Sequence, residues 1–185
     1  MYRQIPNALT ILRFLLVPVF IYFVFVSRTE AKTLISLIIF IIAAITDYVD
    51  GTLARKWNVV SDFGKIMDPL ADKLLVLSAL LGLCMLPPFQ FSIVIFYTIL
   101  AREVSVTILR EVYQSRGIVV AADTFGKIKT VMQMVGIIVA LSAWALFPTI
   151  SKGFRLGMSV WFWLVVGITL FSGVNYFKAL FIKEA

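Results

Sequence analysis

Residues 47–72 read DYVDGTLARKWNVVSDFGKIMDPLAD. Four of the aspartates keep a fixed spacing: Asp47-x-x-Asp50-Gly51-x-x-Ala54-Arg55, then eight residues, then Gly64-x-x-x-Asp68-x-x-x-Asp72. On both sides the chain is almost continuous hydrocarbon. A carboxylate near the centre of a bilayer costs about 2.5–3.5 kcal/mol, so four together would cost roughly 10 kcal/mol without compensating cations and water. Such a group persists only where something uses it. Its surroundings therefore decide the fold, and its spacing decides the chemistry.

Of the 185 residues, 61% are hydrophobic, 14% aromatic and 15% charged, and the mean hydropathy is +0.99. These values lie outside the soluble range. Runs long enough to cross a hydrocarbon core about 30 Å thick occupy Asn7–Val26, Thr33–Arg55, Asp62–Leu86, Phe89–Tyr113, Gly126–Phe147 and Phe154–Phe177. They predict an all-α integral membrane protein of six transmembrane helices. Residues 1–185 then form a single catalytic domain, with its chemistry built from the spans and their short joints. The first run is interrupted by Arg13, lacks a small-residue cleavage site and precedes five similar runs, so it is expected to be a retained span rather than a secretory signal. Pro6, the Pro87-Pro88 pair and Pro148 agree with the span boundaries, whereas Pro18 and Pro69 are candidate kink positions within or near the start of spans.

Histidine is absent and Cys84 stands alone, so an internal disulfide is excluded and the available metal ligands are oxygens. The net charge of +7 comes from Lys and Arg scattered at span ends, without a basic stripe. That pattern argues against a nucleic-acid partner and for anionic membrane lipids. Six spans put both termini and the motif on one side with Arg3, Lys56, Lys65, Arg116, Lys178 and Lys183, against Arg28, Lys32, Lys152 and Arg155 opposite. The bias predicts a multi-pass cytoplasmic membrane protein whose motif faces the cytoplasm.

On a helix, Asp47 and Asp50 are i, i+3 neighbours, and Gly51 and Ala54 extend the same face without bulk. Gly64, Asp68 and Asp72, four apart, line one face of the next helix. The short connection makes the two helices antiparallel neighbours, so both carboxylate pairs are expected to converge near one membrane surface. Hard divalent ions, Mg²⁺ or Mn²⁺, suit such an all-oxygen site, and two of them would cancel four negative charges and clamp a diphosphate ester. Arg55 is placed to contact phosphate oxygens. The competing structural reading pairs the aspartates with Arg55, Lys65 or Lys73, or uses them as helix caps, but isolated buried pairs seldom offset their desolvation.

At these residues the chain resembles the CDP-alcohol phosphotransferase family, whose motif D-x2-D-G-x2-A-R-x8-G-x3-D-x3-D it matches at every fixed position from Asp47 to Asp72. The resemblance implies a six-helix membrane fold, usually a homodimer, that moves a phospho group from a CDP-linked donor to an alcohol and releases CMP. It also implies that Asp47, Asp50 and Asp68 are metal ligands, that Asp72 combines metal contact with general-base work, and that Gly51, Ala54, Arg55 and Gly64 line the CDP site. Asn7, Thr10 and Arg13 are similar to the N-terminal Pro-Asn-x-x-Thr-x-x-Arg element of the family's phosphatidylglycerophosphate-forming branch. Ala101-Arg102-Glu103, Leu109-Arg110-Glu111 and Gly126-Lys127-x-Lys129-Thr130-x-x-Gln133 resemble the same branch. On that likeness the donor is CDP-diacylglycerol, held with the help of Asn7 and Thr10, and the acceptor is glycerol 3-phosphate.

Charge alone also favours an anionic acceptor. Arg110, Lys127 and Lys129 are expected near the motif face with no carboxylate partners beyond Glu111 and Asp123, an arrangement suited to a phosphate monoester. The competing use is snorkelling to lipid head groups. Arg102 and Glu103 lie deeper, as a pair or bridging to neighbouring helices. Transfer to serine, inositol phosphate or another lipid is the nearest rival activity. A divalent-cation transporter is the rival of another class, opposed by the clustering of the carboxylates at one end of two helices.

Overall fold

The computed structural model describes residues 5–57, 62–115 and 124–183, with side chains over 11–47, at Met67, and over 70–113 and 125–173. Six α-helices follow in chain order: α1 (Ile5–Ile21), α2 (Lys32–Trp57), α3 (Asp62–Met85), α4 (Ile93–Ser115), α5 (Thr124–Leu146) and α6 (Lys152–Lys183). No strand occurs among the described residues. The all-α expectation holds, and most boundaries fall within a few residues of the apolar runs. A helix satisfies its own backbone N–H and C=O groups, the one arrangement open to a single apolar segment.

Three boundaries differ from the sequence reading, the simplest being the end of α6, which runs to Lys183 and not to Phe177. The first run reaches Val26 only by passing from α1 into a π-helical segment, Tyr22–Val26, closed where the Ser27 N–H donates to the Tyr22 carbonyl at 2.9 Å. The backbone stays helical through Pro18 and changes register one turn later. It also stays helical through Pro69. The fourth run begins as a reversal, since α4 starts at Ile93 and not at Phe89. The Gln90 and Phe91 N–H groups donate to the carbonyls of Leu86 and Leu83, both at 3.2 Å, and so cap the end of α3. Gln90 takes a left-handed φ of 48° to do this. Phe89 and Phe91 are apolar because their rings are buried against each other, 5.2 Å between centroids, and not because they continue a span.

The chain divides into two compact units. The first comprises residues 1–82 and 138–149. Here α1 packs along α2 through a strip at Arg13, Val17, Phe20 and Val24, spaced by fours and threes so that it keeps one helical face. Phe20 meets Phe40 with centroids 5.9 Å apart. Gly82 of α3 lies so close to the π-helical segment that an added Cβ would stand 2.7 Å from Val24 Cγ1.

The second unit comprises residues 83–137 and 150–185. Within it α4 packs on α6, Phe91 meets Phe162 at 5.3 Å, and Phe125 meets Phe171 edge-on at 5.1 Å. Trp161 Nε1 donates to the Met132 carbonyl at 3.1 Å, over Gly136, where a Cβ would stand 2.7 Å from that nitrogen.

The exterior is apolar: Leu15, Ile45, Tyr97, Val131 and Leu156 each expose more than half of their surface. Among the described residues, Phe125–Leu146 and Lys152–Gly173 are long and apolar enough to cross a membrane, with mean hydropathies of 1.6 and 1.7.

Candidate functional site

The motif is carried by α2 and α3. Asp47, Asp50, Gly51, Ala54 and Arg55 fall on one uninterrupted helix, α2, and Gly64, Asp68 and Asp72 fall on α3. Helical geometry therefore stacks each set as the spacing requires, at a rise of about 1.5 Å per residue. The side chains of Asn7, Thr10, Asp50, Gly51, Ala54, Arg55, Gly64 and Asp68 lie outside those described, as does the expected convergence of the two carboxylate pairs. Asp47 and Asp72 are described, and both side chains are half-buried.

Asp47 has a partner that the spacing of the motif does not reveal. Arg13 NH1 donates to Asp47 Oδ1 at 2.8 Å. This ion pair and the Phe20–Phe40 contact are seven residues apart on each helix, two turns in both cases, as an antiparallel α1–α2 register demands. Ala43 between Phe40 and Asp47 is fully buried and keeps the helices close. The Arg13 side chain is only 1% exposed while that of Asp47 is 44% exposed. The cation is thus sealed behind the carboxylate, and the carboxylate is presented outward.

In the second unit, the three cations expected to stand apart do not behave alike. Arg110 and Lys127 are exposed. Lys129 is buried, and its Nζ donates to Glu103 Oε1, so the expectation that these cations have no carboxylate partner beyond Glu111 and Asp123 is corrected. Glu103 was out of view because it lies 26 positions earlier, on α4, a separation that only tertiary packing closes. Arg102 NH1 donates to the same Oε1 at 3.0 Å, and Arg102 NH2 donates to Ser172 Oγ of α6 at 2.8 Å. The sequence reading left two options for Arg102 and Glu103, pairing with each other or bridging to neighbouring helices, and the structure shows both. Tyr113, three residues past Arg110 on α4, is buried, and its hydroxyl has no hydrogen-bond partner among the described residues.

Of the four motif carboxylates, Asp47 and Asp72 have described side chains, and the described residues contain no group of three or more metal-ligating side chains. Asp47 presents carboxylate oxygen at an accessible position on α2, whereas the one thiol, Cys84, is buried with its Sγ 3.8 Å from the Ser92 carbonyl at the α3–α4 reversal. Carboxylate oxygens of this kind favour hard divalent cations over softer metals.

Comparison with known proteins gives a consistent picture. The family model for CDP-alcohol phosphatidyltransferase matches residues 3–173. A Bacillus subtilis protein named CDP-diacylglycerol–glycerol-3-phosphate 3-phosphatidyltransferase is 40% identical over 188 residues, covering 95% of this chain and 94% of its own. Proteins of the same name from Rickettsia typhi and Rickettsia bellii are 34% and 37% identical, each covering 96% of this chain and at least 95% of its own.

Proposed function

Since the chain belongs to the CDP-alcohol phosphatidyltransferase family, we propose that it transfers the phosphatidyl group of CDP-diacylglycerol to glycerol 3-phosphate, forming phosphatidylglycerophosphate and CMP in phospholipid synthesis. The observation that carries this reading is the near full-length likeness, in both chains, to relatives bearing that activity as their name.

Asp47, Asp50, Asp68 and Asp72 would hold the divalent ions, Mg²⁺ or Mn²⁺ and two per active site, which supply neutralisation of the donor diphosphate and polarisation of its phosphorus. Arg13 holds Asp47 by one oxygen. Arg55 contacts phosphate oxygens, and Gly51, Ala54 and Gly64 leave room for the CDP moiety alongside Asn7 and Thr10. Arg110, Lys127 and Lys129 hold the phosphate monoester of the acceptor. Asp72 takes the proton of the acceptor's primary hydroxyl, and that oxygen attacks the phosphorus bonded to diacylglycerol. The bond to CMP breaks, CMP leaves with the electron pair, and the transfer is direct.

We also propose that the six helices are six membrane spans of one catalytic domain, forming a homodimer in the cytoplasmic membrane with the motif facing the cytoplasm. Helix length supports the spans: α2 to α6 have 23 to 32 residues, and α1 with its π-helical extension has 17 plus 5, against about 20 needed to cross.

Purified protein in detergent, given CDP-diacylglycerol, glycerol 3-phosphate and Mg²⁺, should release CMP only when the acceptor is present, and EDTA should stop it. CMP release with serine or inositol phosphate instead would reassign the acceptor. Metal flux into proteoliposomes without CMP release would overturn the enzymatic reading.

A further inference from the structure

Three helices of the second unit are joined by one polar network centred on a single carboxylate. Glu103 of α4 is 14% exposed, and its Oε1 receives Lys129 Nζ from α5 and Arg102 NH1 at 3.0 Å. Arg102 continues to Ser172 of α6 at 2.8 Å. A Cβ on Gly173 would stand 3.5 Å from Arg102 Cγ, and one on Gly126 would stand 4.0 Å from Arg102 NH2 and 3.5 Å from Ser172 Oγ, ordinary contacts in both cases. The Lys129 and Arg102 side chains are 5% and 11% exposed.

Holding helices together does not account for this network. Apolar residues of similar volume stabilise a buried contact as well as or better than an ion pair, whose desolvation cost is large. This unit already has such contacts in Phe91–Phe162 and Phe125–Phe171. What the network adds is orientation. A lysine ammonium on four methylenes loses much rotamer freedom on gripping an anion, and a fixed carboxylate removes that loss before the anion arrives. The surroundings point to an anion as well. Arg110 lies seven residues beyond Glu103, two turns on along the same side of α4.

We infer that Glu103 is a positioning residue: it holds the Lys129 ammonium in the orientation that receives the phosphate of the acceptor, and Arg102 with Ser172 fixes Glu103 in turn. The inference rests on the proposed use of Lys129 in binding glycerol 3-phosphate. Acting through Lys129, Glu103 touches neither substrate. Its loss is therefore felt in acceptor affinity, and donor affinity is unaffected.

The test is steady-state kinetics of CMP release by the full chain in detergent, varying each substrate. Glu103→Gln, which keeps the shape and removes the charge, should raise the KM for glycerol 3-phosphate about tenfold, as expected for losing one hydrogen bond to a charged group. The KM for CDP-diacylglycerol and kcat should stay within about twofold of wild type. Glu103→Asp should recover part of the acceptor KM. Ser172→Ala, a milder change that keeps every charge, should raise the same KM less. Lys129→Met should raise it at least as much as Glu103→Gln, and combining the two should add nothing further, because the first already removes the group being positioned. An unchanged acceptor KM, an equal rise in both KM values, or additive effects in the double variant would overturn the inference while leaving the activity in place. Failure of wild-type protein to release CMP in response to glycerol 3-phosphate would overturn the reading beneath it and the inference together.

Discussion

The two units each set a buried cation against a carboxylate, with opposite exposure. In the Arg13–Asp47 pair the cation is 1% exposed and the carboxylate 44%. In the Glu103 network the carboxylate, at 14%, is closed in with both its cations, at 5% and 11%. The same chemistry is therefore used in two ways. Arg13 backs a carboxylate that faces outward, where a metal ion and a diphosphate can reach it. Glu103 faces inward, against Lys129 and Arg102. In the proposed reaction the first arrangement serves ligation and the second serves alignment.

The largest expected effect falls on the motif. Asp72→Asn keeps the size but removes the proton acceptor and one anionic metal ligand, so turnover should fall by at least about 10²- to 10⁴-fold, the usual worth of a general base. Binding of CDP-diacylglycerol, measured by displacement of a labelled donor, should remain. Near-normal turnover would strip Asp72 of its role and weaken the view that the outward carboxylates are the reactive ones.

Stability should separate the two pairs next. Glu103→Leu leaves Lys129 and Arg102 buried beside an apolar side chain, and removing one partner of a buried pair costs about 3–5 kcal/mol. Arg13→Met replaces a buried cation by an apolar chain of similar length and leaves Asp47 in contact with solvent, a loss closer to the 0–1 kcal/mol of an exposed pair. Thermal unfolding in detergent should therefore show the larger drop in midpoint for Glu103→Leu. Equal drops would erase the distinction between displayed and sealed carboxylates.

The contrast also explains what the sequence could and could not disclose. Helix content follows from local pattern, since apolar runs bounded by Pro and polar residues dictate helices, and five of the six begin within two residues of the expected position. The exception is Phe89–Ser92, where two phenylalanines alternate with Gln90 and Ser92, and only the tertiary burial of Phe89 and Phe91 shows it to be a reversal. The motif was legible because its residues repeat at helical spacing within 26 positions. Asp47's partner on α1 and Lys129's partner on α4 were not, because each sits on another helix at a separation that no helical period encodes. Arg13 stands out in the sequence for its place in the N-terminal element, but its burial behind Asp47 depends on a two-turn register match between α1 and α2 that only packing establishes.

The smallest effect expected here concerns a third kind of buried polar group. Tyr113 is 4% exposed, and its hydroxyl has no hydrogen-bond partner among the described residues. Unlike Arg13 or Lys129, it carries no charge to be balanced, so burial costs it the desolvation of one hydroxyl, about 1–3 kcal/mol. Tyr113→Phe removes that hydroxyl and keeps the ring. The variant should unfold at the same temperature or slightly higher, by the equivalent of up to about 1 kcal/mol, with the KM for glycerol 3-phosphate unchanged. A lower midpoint would show that the hydroxyl is satisfied in the folded chain. A raised midpoint with a several-fold higher acceptor KM would instead give the hydroxyl to the acceptor, carrying the anion-facing side of α4 from Arg110 one turn further.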